Sequence, residues 1–170
     1  MANRSRSPDT RAGETPSRGS GYGRVFLIAL AVLAIDQVSK HWARNAFVEP
    51  LTLLPFLQLR YVTNTGAAFS IFARWPELLT WLIVIILGLL LFSMDWLIKE
   101  SGCGVCIGLI LGGAVGNLYD RFSLGKVTDF IDLSFWPTFN LADSALTIGV
   151  VIMVWRLYLK DRHERKIASV

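Results

Sequence analysis

Charge is scarce in this chain. Asp, Glu, Lys and Arg make up 18% of its 170 residues, against about a quarter in soluble domains. Cysteine and histidine are scarcer still, with two of each. Cys103 and Cys106 form a CxxC, which could serve redox chemistry or supply half of a zinc site. No second pair and no nearby histidine completes such a site, so the two read as small apolar residues opening a helix. His41 and His163 stand far apart, match no metal motif, and read as surface or interfacial residues. With no ligand set for a metal, neither a metal nor any other cofactor is expected. No internal repeat is present.

What is abundant is apolar: 53% of the chain, gathered into long runs. A membrane-spanning helix needs about 20 mostly apolar residues. Four runs approach that length, at 25–42, 78–98, 103–118 and 139–159. The expected fold is an α-helical membrane protein with four transmembrane helices, formed by residues 24–160 as one domain. Residues 1–23 are mostly Ser, Arg, Gly, Pro and Thr and cannot bury enough surface to fold. They are expected to be a disordered basic cytoplasmic tail, with 161–170 a second basic cytoplasmic tail.

Basic residues set the orientation. Arg4, Arg6, Arg11, Arg18 and Arg24 precede the first run, and Lys160, Arg162, Arg165 and Lys166 follow the last. The positive-inside rule then places both termini in the cytoplasm and the two longer loops outside. Basic tails could also mean nucleic acid, but topology and anionic lipid account for them, so membrane lipid is the expected partner. A cleaved signal peptide is a rival reading of the first run. Its basic region is long, however, and the apolar pattern continues past Asp36 through Val38 and Trp42, so the run is read as a span.

Between the first two runs, residues 57–62 alternate in polarity with a strand-like period. Asn64-Thr65-Gly66 has turn chemistry. The segment reads as a small amphipathic β element on the outer, periplasmic side. Pro76 then suits the first turn of the second helix.

Some polar residues sit where water is scarce. An ionised Asp at mid-bilayer costs about 2.5–3.5 kcal/mol, which makes each one a functional candidate. Asp36 and Lys40 lie at i, i+4, a spacing that makes an ion pair; it either braces the bundle or works in catalysis. Asp95, beside Trp96, reads as a solvated interfacial residue. Gly104, Gly108, Gly112 and Gly116 recur every four residues and make a smooth helix face for close packing. Asn117, Asp120 and Arg121 follow at the end of that face, as an interfacial cap or as part of a site.

Asn140 can cap the fourth run and place Asp143 in its first turn, where the helix dipole favours negative charge. Asp129 lies fourteen residues earlier, with Trp136-Pro137 turning the chain between them. Two carboxylates brought close together share one proton. One can then draw a proton from water while the other protonates a carbonyl. The alternative is two independently solvated interfacial aspartates.

Five blocks together, DQVSK at 36–40, YVTNTGAAFS at 61–70, GGAVGNLYDR at 112–121, VTDFID at 127–132 and FNLADSALTIG at 139–149, resemble the lipoprotein signal peptidases, signal peptidase II. They occur in the family's order. The stretch between Ile131 and Pro137 is short for the family. The resemblance implies a bacterial inner-membrane aspartic endopeptidase acting on prolipoproteins that carry diacylglycerol on a cysteine, cutting on the amino side of that cysteine. It implies Asp129 and Asp143 as the catalytic pair. Asn64, Gly66, Asn117, Arg121 and Asn140 fall on site-lining positions, and Asp36 and Lys40 on a supporting pair. A monomer is expected.

Two rivals come from other classes. A metal-dependent phospholipid headgroup transferase has a motif that GKVTDFID partly imitates, but Asp129 and Asp132 are one residue too close and the motif's upstream half is missing. A small proton-coupled transporter would place its charges nearer mid-span.

Overall fold

The computed structural model describes residues 18–65 and 75–169. Its elements run α1 (Arg18–Ala46), β1 (Leu51–Leu54), β2 (Leu57–Asn64), α2 (Pro76–Phe92), α3 (Met94–Ser101), α4 (Gly104–Leu124), β3 (Val127–Leu133), β4 (Trp136–Phe139) and α5 (Leu141–Ala168).

Among the described residues, α1 from Gly21 and α5 are each long and apolar enough to cross a membrane, and α2 with α3 makes a third if the bent pair counts as one span. Of the four spans expected from the sequence, two are clear, and a third follows if the bent pair counts as one. The expected second run, 78–98, is not one helix. It breaks at Ser93, and α3 leaves at 64° to α2. The reason lies in α3's pattern: Met94, Leu97 and Ser101 are buried on one face, while Asp95, Trp96 and Lys99 are exposed on the other. A helix with one apolar stripe lies along a surface rather than through it. Asp95 is therefore exposed beside Trp96, as its position suggested.

The third run forms α4, which does not pass as a span. It packs between α1 and α5, with Cys106, Ile107, Leu111 and Ala114 among its buried residues. Its glycines and polar end lower its apolarity, and they suit contact with helices rather than with lipid. A Cβ on Gly112 would stand 2.6 Å from the Ala29 carbonyl oxygen of α1, and one on Gly149 would stand 2.8 Å from the Cys106 carbonyl oxygen. Glycine is what allows both approaches.

Helix extends beyond the expected spans at both ends of the described residues. α1 already includes residues 18–23, and the segment 161–168 continues α5. The rest of the expected N-terminal tail, 1–17, lies outside the described residues. Cys103 caps α4 and is joined to Cys106 in a disulfide, so the CxxC is a covalent staple and not merely two small residues.

The β element is larger than the sequence indicated. It is a four-stranded antiparallel sheet in the order β1-β2-β3-β4. Leu59 pairs with Ile131, Val62 with Asp129 and Asn64 with Val127. Val127, Thr128 and Ile131 are β-branched and suit a strand. A small core of Ala43, Phe47 and Phe130 fastens the sheet to the C-terminal end of α1. Trp42 meets Phe47 edge to face at 4.7 Å. A larger core, including Val25, Leu87, Leu97, Ile107 and Leu111, joins the helices.

Candidate active site

Three segments meet at one end of the bundle: the last turns of α4, the start of β3 and the N-terminus of α5. Asn140 joins them. Its Oδ1 accepts the Asp143 N–H at 2.9 Å, and Asp143 Oδ2 accepts the Asn140 N–H at 3.2 Å. This reciprocal capping satisfies helix-end donors that would otherwise lack partners. The Asn140 Nδ2 donates to Asp129 Oδ1 at 2.7 Å and to Asn117 Oδ1 at 3.1 Å. Asn117 in turn donates to Asp143 Oδ1 at 2.6 Å. Asp129 also accepts from Asn64 of β2 at 2.9 Å. Two aspartates are therefore connected through asparagines. Among the described residues, neither of them forms an ion pair.

Asp129 is buried, with 1% of its surface exposed, and lies outside the spanning helices. Burial pushes its carboxyl up to about 6. The bond from Asn64 opposes this, the negative charge of Asp143 adds to it, and Asn140 and Lys40 oppose it.

A second carboxylate cluster lies behind the first. Lys40 Nζ is 2.8 Å from Asp36 Oδ2 and 3.4 Å from Asp120 Oδ2, all three side chains fully buried. Lys40 also donates to Asn117 Oδ1 at 2.9 Å. Each acid of this cluster holds the backbone one residue before a member of the first pair. Asp36 Oδ1 accepts the N–H of Ala142, before Asp143, at 2.9 Å. Asp120 Oδ2 accepts the N–H of Thr128, before Asp129, at 2.9 Å. Gln37 ties Asp36 to Asp120 through its side-chain amide.

A family profile described as signal peptidase (SPase) II matches residues 28–159. The chain belongs to the signal peptidase II family. A lipoprotein signal peptidase of Moorella thermoacetica is 43% identical to it over 139 residues, covering 79% of this chain and 92% of that one. One from Shewanella baltica is 40% identical over 152 residues, covering 83% and 89%. A solved bacterial membrane enzyme has a similar fold, with a TM-score of 0.71 and 35% identity over 82% of this chain and 90% of its own. A second has a TM-score of 0.68 and 32% identity, over 79% and 92%. Signal peptidase II is an aspartic peptidase family, which fits a pair of linked aspartates.

Of the residues singled out in the sequence, the structure gathers Asp36, Lys40, Asn64, Asn117, Asp129, Asn140 and Asp143 into one network. Arg121 joins it at the edge. It is half-buried, donates to the Asn117 carbonyl oxygen at 3.2 Å, and its charge reaches Asp143, Asp129 and Asp120. Gly66 lies outside the described residues. Asp120 was legible as a polar residue but not as the anchor of β3. Asp132, which the transferase reading needs, forms an ion pair with Arg60 on the sheet instead.

Proposed function

We propose that the chain removes signal peptides from diacylglyceryl-modified prolipoproteins, cutting on the amino side of the lipidated cysteine, with Asp129 and Asp143 as the catalytic dyad. The observation that carries this is Asn140, which binds Asp129 through its side chain and Asp143 through the reciprocal cap. One residue thereby fixes both carboxylates. Like charges in such a setting hold one proton between them. Burial raises the Asp129 carboxyl to about 6, which favours Asp129 as the holder of that proton. Asp143 then takes a proton from the attacking water while Asp129 protonates the scissile carbonyl, and the two exchange roles as the tetrahedral intermediate expels the amine. Arg121 contributes a positive charge at the edge of the dyad, suited to orienting a backbone carbonyl. Asn64, Asn117 and Asn140 hold the carboxylates, and Asp36 and Lys40 support them from behind.

This reading places the enzyme in a bacterial inner membrane as a monomer with four crossings, α4 being the most protein-enclosed. Both termini lie in the cytoplasm and the dyad near the periplasmic face. The half-exposed Leu51, Leu53, Leu54 and Phe56 of the first hairpin suit contact with the outer leaflet. The test is cleavage of a lipidated prolipoprotein by the purified protein, with and without EDTA. Cleavage before the cysteine that survives EDTA is expected. No cleavage, or a loss on chelation restored by Mg²⁺, would overturn the reading.

A further inference from the structure

The CxxC plays no part in the chemistry proposed above. Cys103 and Cys106 are joined in a disulfide at the far end of α4 from Asn117, about 21 Å along the helix at about 1.5 Å per residue. Among the described residues, no third metal-ligating side chain joins them, so sulfur exchange rather than metal binding is the chemistry open to the pair. Their surroundings are polar. Lys160 of α5 pairs with Glu100 of α3 at 2.6 Å. A Cβ on Gly102 would stand 3.7 Å from the Arg156 guanidinium. Gly102 itself is exposed, ends α3 at φ 60°, and has no side chain to screen the neighbouring Cys103.

We propose that Cys103 and Cys106 are a redox-active pair that exchanges with cytoplasmic thiols at Cys103, and that the disulfide stabilises the bundle where α4 begins. The inference rests on the orientation proposed above, which puts this end of α4 at the cytoplasmic face. Disulfides facing a reducing compartment are usually transient or redox-sensing, and a CxxC at a helix N-terminus is a setting that suits a reactive thiolate. The two sulfurs are not equivalent. Cys103 is the N-cap, 6% exposed, and its Sγ accepts the Cys106 N–H at 3.3 Å. Cys106 lies inside the first turn with none of its surface exposed. The Cys103 N–H is fixed by the Ser101 hydroxyl at 3.2 Å, which donates in turn to the Leu97 carbonyl oxygen at 2.6 Å. Cys103 is thus the sulfur an incoming thiol meets, held in place by the end of α3.

The reductant is glutathione or a protein dithiol. Its thiolate attacks Cys103 Sγ, the Sγ–Sγ bond breaks, and Cys106 leaves as a thiolate and takes a proton. A second thiolate of the reductant then displaces Cys103 from the mixed disulfide, and Cys103 also takes a proton. The pair gains two electrons and two protons, and the reductant ends as its own disulfide. The reverse sequence, with glutathione disulfide or an oxidised dithiol protein, restores the bond. The turn that is stapled lies between two helices. A Cβ on Gly104 would stand 3.6 Å from the Gly21 carbonyl oxygen of α1, and one on Gly149 of α5 would stand 2.8 Å from the Cys106 carbonyl oxygen. Reduction frees this turn in the unfolded chain and so removes stability.

The experiment equilibrates the purified wild-type protein in detergent with glutathione over a wide range of reduced-to-oxidised ratios, then quenches, alkylates and weighs it. The pair should pass reversibly from disulfide to dithiol within the series, and the thermal midpoint of the reduced form should fall by about 4–8 °C. A pair that stays disulfide throughout is an inert staple, and one that stays dithiol throughout forms no bond; either overturns the inference. A reduced form that melts with the oxidised one overturns the stabilising role. Cys106→Ser should form a glutathione adduct on Cys103, and Cys103→Ser should form none on Cys106. The opposite pattern overturns the assignment of the exchanging sulfur. Sidedness is read with a membrane-impermeant maleimide on reduced Cys106→Ser in vesicles of either orientation, and labelling from the cytoplasmic face is expected. Labelling from the outer face refutes the orientation reading and with it the cytoplasmic reductant, whereas a failure of exchange in detergent leaves that orientation standing.

Discussion

Two pairs of acids lie within a few residues of each other in this molecule, and they have opposite surroundings. Asp36 and Asp120 share a buried lysine. Asp129 and Asp143 are held by asparagines and a backbone N–H. The first cluster holds a buried counter-charge, and its carboxylates accept the N–H groups of Ala142 and Thr128. Among the described residues, the second has no ion-pair partner. On the proposed mechanism, the same residue type serves as scaffold beside a lysine and as a proton carrier among asparagines.

The comparison breaks most sharply at the dyad. Asp129→Asn and Asp143→Asn keep the shape and the capacity to hydrogen-bond but cannot exchange the proton. Each should lower kcat by about 10²–10⁴, the contribution typical of a general acid or base, with the thermal unfolding midpoint in detergent little changed. Asp132→Asn, at the Arg60 pair, should leave kcat nearly intact. A dead Asp132 variant with a normal melting curve would reverse the assignment.

Lys40→Met tests the other cluster. It leaves two buried carboxylates without their cation, and breaking a buried pair on one side costs about 3–5 kcal/mol. Stability should fall first, seen as a lowered midpoint in detergent. Residual activity should be lost along with the anchoring of Ala142 and Thr128. If Lys40→Met melts like wild type, the cluster is not the scaffold that its contacts indicate.

What could be read from the sequence follows this division. Local relations were legible. The i, i+4 spacing of Asp36 and Lys40 predicts their contact, Asn140 stands where an N-cap belongs, and the four-residue glycine repeat predicts a close helix approach. Long-range relations were not. The bond from Asp36 to Ala142 spans 106 residues, and nothing near Asp120 announces that it holds β3. The seven residues of β3 form a strand because β2 lies beside them, and β2 is some 65 residues away in sequence. The break at Ser93 was hidden by apolarity that continues through it, since hydropathy counts residues and does not register a 64° bend. In α4 the glycines were legible, and the surface they make is suited to other helices more than to lipid.

Gly112→Leu probes that surface. The added side chain meets the Ala29 carbonyl oxygen and Val32 of α1, and backbone cannot yield as a flexible side chain can. Overpacking of this kind costs about 1–3 kcal/mol. It should also separate Asn117 from Lys40, lowering the cleavage rate by about tenfold. Val115→Leu is the control on the same helix, since Val115 is 38% exposed and has space to grow. Equal midpoints for the two variants would mean that α1 and α4 do not depend on the glycine face.

The smallest expected effect is a shift in pH dependence, and it sharpens the contrast between the two clusters most directly. With Asp129 at about 6 and the proton needed there for carbonyl protonation, kcat/KM for the free enzyme should fall as pH rises through 6. The corresponding limb of kcat should lie higher, because bound substrate excludes water and disfavours the charge further. Folding stability has the same sign. Between 3.8 and about 6 the folded protein keeps a proton on Asp129 that the unfolded chain has lost, so this contribution is full below that window and is lost as pH rises through it. Asn64→Ala removes the largest of the interactions that favour the ionised form. Such a hydrogen bond contributes about 0.5–1.5 kcal/mol, and 1.36 kcal/mol is one pH unit. The limb should therefore move upward by about half a unit to one unit, with a modest change in the maximal rate. A limb that moves downward in Asn64→Ala, or that persists near 6 in Asp129→Asn, would show that another group sets it.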